Sequence, residues 1–267
     1  ETFNSENSFE IIIPYTCAQI GDSAFEKCGL IETIIVPDSV TSIGNASFKG
    51  CSSLVNITLP FIGKDESASG YEACFGYIFG YGQAESGNSS YTYTDWVTSE
   101  SYTYKYYRIF TIPKSIRNVT ITRQTIIPQK AFMNCNFIEN IKISDDVILI
   151  NQYAFYNCYQ AEGMNIPEKV ETIGNYAFYN NSRIKSFTIH KNLKEIGDNA
   201  FSNCSNLKYI INGDNEKLEY IGSYAFYYCT NLVYVHLGNS VTRINQEAFN
   251  FCNNLISINL PNSITSI

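Results

Sequence analysis

Apolar residues recur along the chain at an interval of 23 residues in most units, and of 25 residues between Ile196 and Ile221. In most units an isoleucine is followed five residues later by a phenylalanine, and three residues after that by a cysteine. The isoleucine column consists of Ile20, Ile43, Ile127, Ile150, Ile173, Ile196, Ile221, Ile244 and Ile267. Because each unit of a solenoid buries its apolar face against its neighbours, a repeat of this length predicts a solenoid.

The phenylalanine and cysteine columns supply the remaining large and small apolar positions of the predicted core. The phenylalanines are Phe25, Phe48, Phe132, Phe155, Phe178, Phe201, Phe226 and Phe249. The cysteines are Cys28, Cys51, Cys135, Cys158, Cys204, Cys229 and Cys252, with Asn181 at the equivalent position of one unit. Buried phenylalanine and isoleucine side chains should each contribute about 1.5–3 kcal/mol to folding.

Each unit also contains a pair of apolar residues two positions apart, such as Ile34 with Val36 or Met164 with Ile166. This spacing predicts a short β-strand with one face inward. A glycine often follows the isoleucine column, at Gly21, Gly44, Gly174, Gly197 and Gly222, and suggests a turn that requires positive φ. The segment from the alanine–phenylalanine pair to the cysteine is too short for a full helix, so we expect a helical or 3₁₀ turn with phenylalanine inserted into the core.

These residues resemble the leucine-rich repeats of BspA-like surface proteins. The residues that match are Leu54–Pro60 and Val170–Phe178, and only about residues 61–115 depart from the pattern. The resemblance implies a leucine-rich repeat solenoid, a right-handed superhelix that is rich in short strands. It also implies a surface or secreted protein from a family in which several members adhere to host matrix proteins or to other cells. The family has no shared catalytic residues.

Length and charge narrow the classes of partner. The chain has 267 residues, 45% apolar content and a net charge of −7. Without a run of Lys and Arg, binding to nucleic acid or to an anionic membrane is not expected, and no apolar stretch is long enough to span a bilayer. We predict one solenoid over residues 1–267. Because Ile267 lies in mid-repeat and solenoids need a polar cap, we expect the chain to be a fragment of a longer one.

Residues 61–115 form the predicted insertion. Apolar and polar residues alternate over 91–97 and again over 102–112, which predicts a β-hairpin. The insertion holds the only tryptophan and many tyrosines, residue types that are enriched at interfaces. Tyr93, Trp96 and Tyr104 are therefore candidate partner contacts. The alternative, which we favour, is that the hairpin covers an edge or flank of the solenoid.

A second candidate contact site lies on the outward face of the predicted sheet. Most outward positions are small and polar, but Tyr209, Ile211, Tyr234 and His236 fall on adjacent strands and should lie side by side. An exposed patch of aromatic and aliphatic side chains is a candidate protein-binding site. Chance surface composition is the alternative explanation.

The sequence gives little evidence for a catalytic or metal-binding site. Neighbouring cysteines would lie near disulfide distance, but nine is an odd number and Asn181 interrupts the column. Small, buried, reduced cysteines are the favoured interpretation. The sequence has no closely spaced Cys/His pair of the kind that binds zinc. His190 and His236 are not accompanied by a nucleophile pattern. A carbohydrate-cleaving enzyme would need a pair of carboxylates, and only Asp95 and Glu100 lie near the aromatic residues of the insertion.

The predicted function is therefore a non-enzymatic interaction or adhesion module, without catalytic residues, cofactor or metal. Its expected partner is a protein or matrix component of a host or a neighbouring cell, bound through the sheet face or the insertion. The alternative is a structural spacer that presents another domain at the cell surface.

Overall fold

The computed structural model describes residues 9–81, 89–92, 96–97, 106–107, 110–162 and 164–267. The chain folds as two compact units, Glu1–Thr122 and Arg123–Ile267. Each unit is a stack of short coils. The single domain that the repeat indicates stays a prediction.

The first unit contains parallel strands, two antiparallel pairs and two short 3₁₀ helices. Its strands are β1 (Glu10–Ile12), β2 (Gln19–Ile20), β3 (Thr33–Ile35), β4 (Ser42–Ile43), β5 (Asn56–Leu59), β6 (Ser89–Thr92), β7 (Trp96–Val97), β8 (Tyr106–Tyr107), β9 (Phe110–Pro113) and β10 (Asn118–Ile121). The 3₁₀ helices are Gly70–Ala73 and Phe75–Phe79. Strands β1, β3, β5 and β10 form one parallel sheet in that order and β2 pairs with β4 in parallel, whereas β6 pairs with β9 and β7 with β8 in antiparallel fashion.

The second unit carries two parallel sheets. Its strands are β11 (Ile126–Ile127), β12 (Asn140–Lys142), β13 (Leu149–Ile150), β14 (Thr172–Ile173), β15 (Ser186–His190), β16 (Glu195–Ile196), β17 (Tyr209–Gly213), β18 (Tyr220–Ile221), β19 (Tyr234–His236), β20 (Arg243–Ile244) and β21 (Ser257–Asn259). One sheet has the order β11-β13-β14-β16-β18-β20 and the other β15-β17-β19-β21. Equivalent residues of successive coils pair, as Ile150 does with Ile173.

The phenylalanine column forms a continuous stack in the second unit, buried from Phe132 to Phe226 and half-buried at Phe249. The ring centroids are 5.5 Å apart for Phe132–Phe155, 5.2 Å for Phe155–Phe178, 5.1 Å for Phe178–Phe201, 5.3 Å for Phe201–Phe226 and 5.3 Å for Phe226–Phe249. In the first unit Phe25 and Phe48 stack in the same way at 5.5 Å. The predicted solenoid fold, with phenylalanines in file, is confirmed.

The segment that carries each phenylalanine is a series of hydrogen-bonded turns instead of a helix. In the first unit Phe25 N donates to Ser47 O at 2.7 Å and Lys27 N donates to Lys49 O at 2.6 Å, both in the next coil. Within the same coil, Cys28 N donates back to Phe25 O at 3.2 Å. A continuous helix would use all of these N–H groups internally, so the turns are what allow this side of the coil to hydrogen-bond to its neighbour.

The expectation of positive φ at the recurrent glycines is wrong. Positive φ occurs two residues after the glycine position, as at Ala46 (57°), and just before the cysteine, as at Asn157 (60°). Except at Gly21, the recurrent glycines allow close approach of the backbone of the preceding coil. A Cβ on Gly44 would lie 2.4 Å from Asp22 N, and one on Gly222 would lie 2.5 Å from Asp198 N.

One predicted strand is absent. The described residues 161–162 and 164–167 form no strand, although Met164 and Ile166 have the apolar spacing of one. Here the sequence has Gly163 and Asn165 within the strand position, and both residue types disfavour strands. As a result, β15 is an edge strand of its sheet.

Asn181 replaces cysteine in the core column and is fully buried. Its Nδ2 donates to Phe155 O at 2.7 Å. In other coils the cysteine thiol faces the equivalent phenylalanine carbonyl; Cys204 Sγ, for example, lies 3.2 Å from Phe178 O. The Oδ1 atom of Asn181 has no hydrogen-bond partner. Burial of an unsatisfied acceptor is destabilising.

Asn181→Cys is therefore expected to stabilise the protein by about 1 kcal/mol, because it removes the orphaned acceptor and keeps a donor toward Phe155 O. Urea unfolding followed by circular dichroism measures the change. Asn181→Ala, which leaves that carbonyl without its side-chain donor, should be the less stable of the two variants. Equal or lower stability of Asn181→Cys relative to the wild type would contradict the argument.

Candidate functional site

The outward face of β17 and β19 carries an exposed apolar patch, which we call the sheet-face patch: Tyr209, Ile211, Tyr234 and His236. Tyr209 pairs in register with Tyr234, and the exposed fractions of Tyr209, Ile211 and Tyr234 are 39%, 44% and 42%. The patch is exposed because strand residues alternate between faces, and the intervening residues Ile210 and Val235 are fully buried.

The patch has a polar margin. The Tyr234 and His236 rings lie 6.5 Å apart and are tilted, and Lys208 Nζ lies 5.4 Å from the centroid of the Tyr209 ring. The structure therefore brings together the four residues predicted from the sequence on neighbouring strands. Their role in binding stays a prediction.

The candidate contacts of the insertion are only partly placed. Tyr93 and Tyr104 lie outside the described residues. Trp96 begins β7, and its backbone pairs with that of Tyr107 in β8. Whether these residues contact a partner stays a prediction.

Residues 61–81, at the start of the predicted insertion, contribute to the core of the first unit. Their fully buried side chains include Phe61, Ile62, Phe75, Ile78 and Phe79. Ala46 N donates to Tyr77 O at 3.2 Å and Phe48 N donates to Ile78 O at 2.9 Å, so this segment continues the turn ladder of the preceding coil. The sequence signal for this role is the pair Tyr71 and Cys74, which keeps the phenylalanine-to-cysteine spacing of the repeat.

A cavity of about 280 Å³ opens in the second unit beside β15, where the described residues of the neighbouring coil form no strand. It is lined by Glu162, Met164, Asn165, Ile166, Phe178, Ile184, Ser186, Phe187, Thr188, His190 and Phe201. Sequence reasoning did not identify this site. Gly163 at a strand position was the one signal that could have indicated it.

Four tyrosines form a second feature that the sequence did not predict. On the turn side of the second unit Tyr153 stacks on Tyr176 at 5.0 Å and Tyr156 on Tyr179 at 4.8 Å. Burial raises the pKa of Tyr156 and that of Tyr176 above the usual tyrosine value. Because each ring is stacked against its partner in the neighbouring coil, we assign this cluster a packing role.

Charged residues on the surface pair between successive coils. Lys194 Nζ lies 2.7 Å from Glu171 Oε2, and the hydrogen bond from Lys194 lowers the pKa of Glu171. Arg183 and Lys185 both approach Glu162 at the mouth of the cavity. These pairs are solvent-exposed, so each contributes little to stability.

The cysteine column is structural. No disulfide joins any of the nine cysteines, and those from Cys51 onward are buried. Burial raises the pKa of Cys51 to about 11 and that of Cys204 to about 12. Since the thiolate is the nucleophilic form, these residues are poor candidates for covalent chemistry.

We therefore expect the buried cysteines to react with iodoacetamide at pH 8 far more slowly in the native protein than in urea. Cys17 and Cys28, which are only partly buried, provide the internal reference and should be modified first. Mass spectrometry of tryptic peptides after timed alkylation measures the order. Modification of Cys204 as fast as Cys17 in native protein would contradict the assignment.

Two features are absent from the described residues, a cluster of metal ligands and a helix that could span a membrane. They contain no group of three or more His, Cys, Asp or Glu side chains placed to hold a metal ion. His190 and His236 lie on separate strands, β15 and β19. In the described part of the chain, no helix has the length and apolar character needed to cross a bilayer.

Comparison with known proteins agrees with the fold. The sequence matches the BspA type leucine rich repeat region in six copies, over residues 1–75, 106–217 and 214–267. A leucine-rich repeat protein from Eubacterium ventriosum ATCC 27560 is structurally similar, with a TM-score of 0.51, 19% identity and coverage of 96% of this chain and 80% of that one. No curated protein matches the sequence.

Two further solved structures are similar at lower TM-scores. The leucine-rich repeat protein TpLRR of T. pallidum has a TM-score of 0.44 and 19% identity, with 84% of this chain and 78% of that chain covered. A leucine rich cell surface protein from Faecalibacterium prausnitzii A2-165 has a TM-score of 0.33 and 19% identity, with 98% and 84% covered.

Proposed function

Because the chain belongs to the BspA-type leucine-rich repeat family, we propose that it is a non-enzymatic adhesion module that binds a macromolecular partner through its sheet face. Leucine-rich repeat solenoids serve in general as scaffolds for protein interaction. The observation that supports this function is the sheet-face patch, in which two tyrosines and an isoleucine are each about two-fifths exposed on adjacent strands. Aromatic residues of this kind dominate the binding energy of many interfaces.

The partner is a protein or matrix component of a host or a neighbouring cell, and the location is the cell surface or the extracellular medium. The surface location that is common among BspA-like proteins supports both statements. The acidic net charge of −7 gives no support for nucleic acid as a partner.

The test compares binding of wild type and Tyr209→Ala/Tyr234→Ala to a panel of immobilised extracellular matrix proteins and to intact host cells. The double variant should bind about tenfold more weakly or worse, because both aromatic anchors are lost. The variant should remain folded with a modest fall in melting temperature, because each tyrosine is about two-fifths exposed and its removal should cost about 1 kcal/mol.

Tyr15→Ala/Tyr228→Ala is the matched control, since these two tyrosines are 76% and 46% exposed and lie outside the patch. Wild-type affinity in the patch variant would exclude the sheet-face patch as the binding site. Failure of the wild type to bind any matrix protein or cell would instead favour the spacer function.

A further inference from the structure

The cavity beside β15 combines buried phenylalanine side chains, a largely polar surface and an edge of β15 with which no described strand pairs. We propose that it binds an extended peptide segment of a partner protein, which pairs with the main chain of β15 and inserts one side chain into the cavity. This inference rests on the proposed interaction function and adds a class of ligand to it.

The free edge of β15 indicates a polypeptide ligand. β15 pairs with β17 over all five residues from Ser186 to His190, but in the described part of the chain no strand pairs with its other edge. Elsewhere, equivalent coils are joined by main-chain bonds such as Lys208 N to Lys185 O at 2.8 Å. An extended peptide carries the alternating donors and acceptors that such an edge requires.

The size and lining of the cavity favour insertion of one side chain. Its volume of about 280 Å³ is below the range of about 300–1,000 Å³ that is usual for drug-sized ligands. Phe187 is only 3% exposed, and its ring lies 4.6 Å from that of Phe201, which gives the cavity a packed aromatic wall. Ser186, Thr188 and His190 supply polar groups.

The cavity is continuous with the sheet-face patch. Ser186 pairs in register with Tyr209, and Thr188 pairs with Ile211. A segment paired with the other edge of β15 would be separated from Tyr209 only by β15, so the rest of the partner could reach the tyrosines of the patch. The two features together form one surface, with an anchor pocket at one side and aromatic contacts at the other.

The probe for a direct test is a synthetic peptide with the sequence of residues 185–191. This sequence already pairs with the equivalent edge of β17, because β15 occupies that edge. A second peptide, N-methylated at alternate residues, has the same side chains but cannot form the main-chain ladder. Fluorescence anisotropy with labelled peptide measures binding to the whole chain.

Ser186→Trp is the variant that fills the cavity mouth, and Ser257→Trp is its matched control. Ser257 is an exposed serine at the same column position in β21. Because β21 is also an edge strand of this sheet, the control additionally detects peptide binding there. Circular dichroism and thermal melting establish that both variants are folded.

The proposal predicts saturable binding of the unmodified peptide, weakened at least about tenfold by Ser186→Trp and by N-methylation but not by Ser257→Trp. The amides of Ser186–His190 should also exchange hydrogen more slowly in the wild-type complex, a readout that does not depend on any variant. Absence of binding, equal binding of the N-methylated peptide, or loss only with Ser257→Trp would each overturn it.

The peptide assay is independent of the natural partner. If the peptide fails to bind while the tyrosine variants still reduce adhesion, the anchor pocket is refuted and the sheet-face function stands. If the peptide binds as predicted but the sheet-face variants adhere normally, the adhesion proposal fails and the pocket remains as a peptide site.

Discussion

Phe201→Ala is expected to lower the free energy of unfolding by about 3–5 kcal/mol, the range for a buried aromatic residue replaced by alanine. The Phe201 side chain is fully buried, and its ring stacks between those of Phe178 and Phe226 at 5.1 and 5.3 Å. Since each coil of a solenoid is stabilised by its neighbours, the loss also weakens the coupling between coils on both sides. Urea denaturation followed by circular dichroism measures it.

Phe251→Ala is the matched control for this variant. Phe251 is 46% exposed and lies on the turn side of a later coil, so its removal should cost only about 1 kcal/mol. A loss for Phe201→Ala as small as that for Phe251→Ala would show that the phenylalanine file is not the main source of core stability. A second, separate unfolding transition in the Phe201 variant would show that the coils around Phe201 unfold independently of the rest.

Gly44→Ala is expected to destabilise the protein by about 1–3 kcal/mol or more, whereas Gly21→Ala should be neutral or slightly stabilising. Both glycines occupy the same column of the first unit. A Cβ at Gly44 would lie 2.4 Å from Asp22 N and 2.5 Å from Gly21 C, so a backbone must move. A Cβ at Gly21 would meet nothing within 4 Å.

Thermal unfolding of the two variants separates steric crowding from backbone flexibility. Neither glycine has positive φ, so both alanines are compatible with the local backbone. If the two variants lose equal stability, the cause is the change in the coil's own conformational preference. A loss confined to Gly44→Ala supports the explanation that the glycine column allows adjacent coils to approach closely.

Of the two parts of the proposed surface, the sequence predicted the sheet-face patch but not the cavity. Tyr209 and Tyr234 could be placed side by side because the repeat puts equivalent residues on neighbouring strands even where its period is 25 residues, and the structure pairs them. The cavity next to them could not be predicted from that rule. It arises where the coil containing Met164 departs from the strand geometry that its apolar spacing indicates.

The stacked tyrosine pairs likewise could not be predicted from the repeat alone. Tyr153 and Tyr176 are equivalent residues of successive coils, yet their stacking at 5.0 Å depends on the conformation of the turns that carry them. Those turns place residues such as Tyr153 at positive φ, an arrangement that simple apolar periodicity does not reveal.

The amino-acid sequence alone determined the repeat, the buried columns and the solenoid fold, because a regular repeat of apolar residues leaves stacking of like on like as the way to bury them. The spacing between coils was decided only by tertiary structure. That spacing makes Gly44 a point of close contact, exposes the edge of β15 and opens the cavity next to Phe187. The physical reason is that these features depend on contacts between residues far apart in the chain, at a distance set by backbone hydrogen bonds and packing of whole coils.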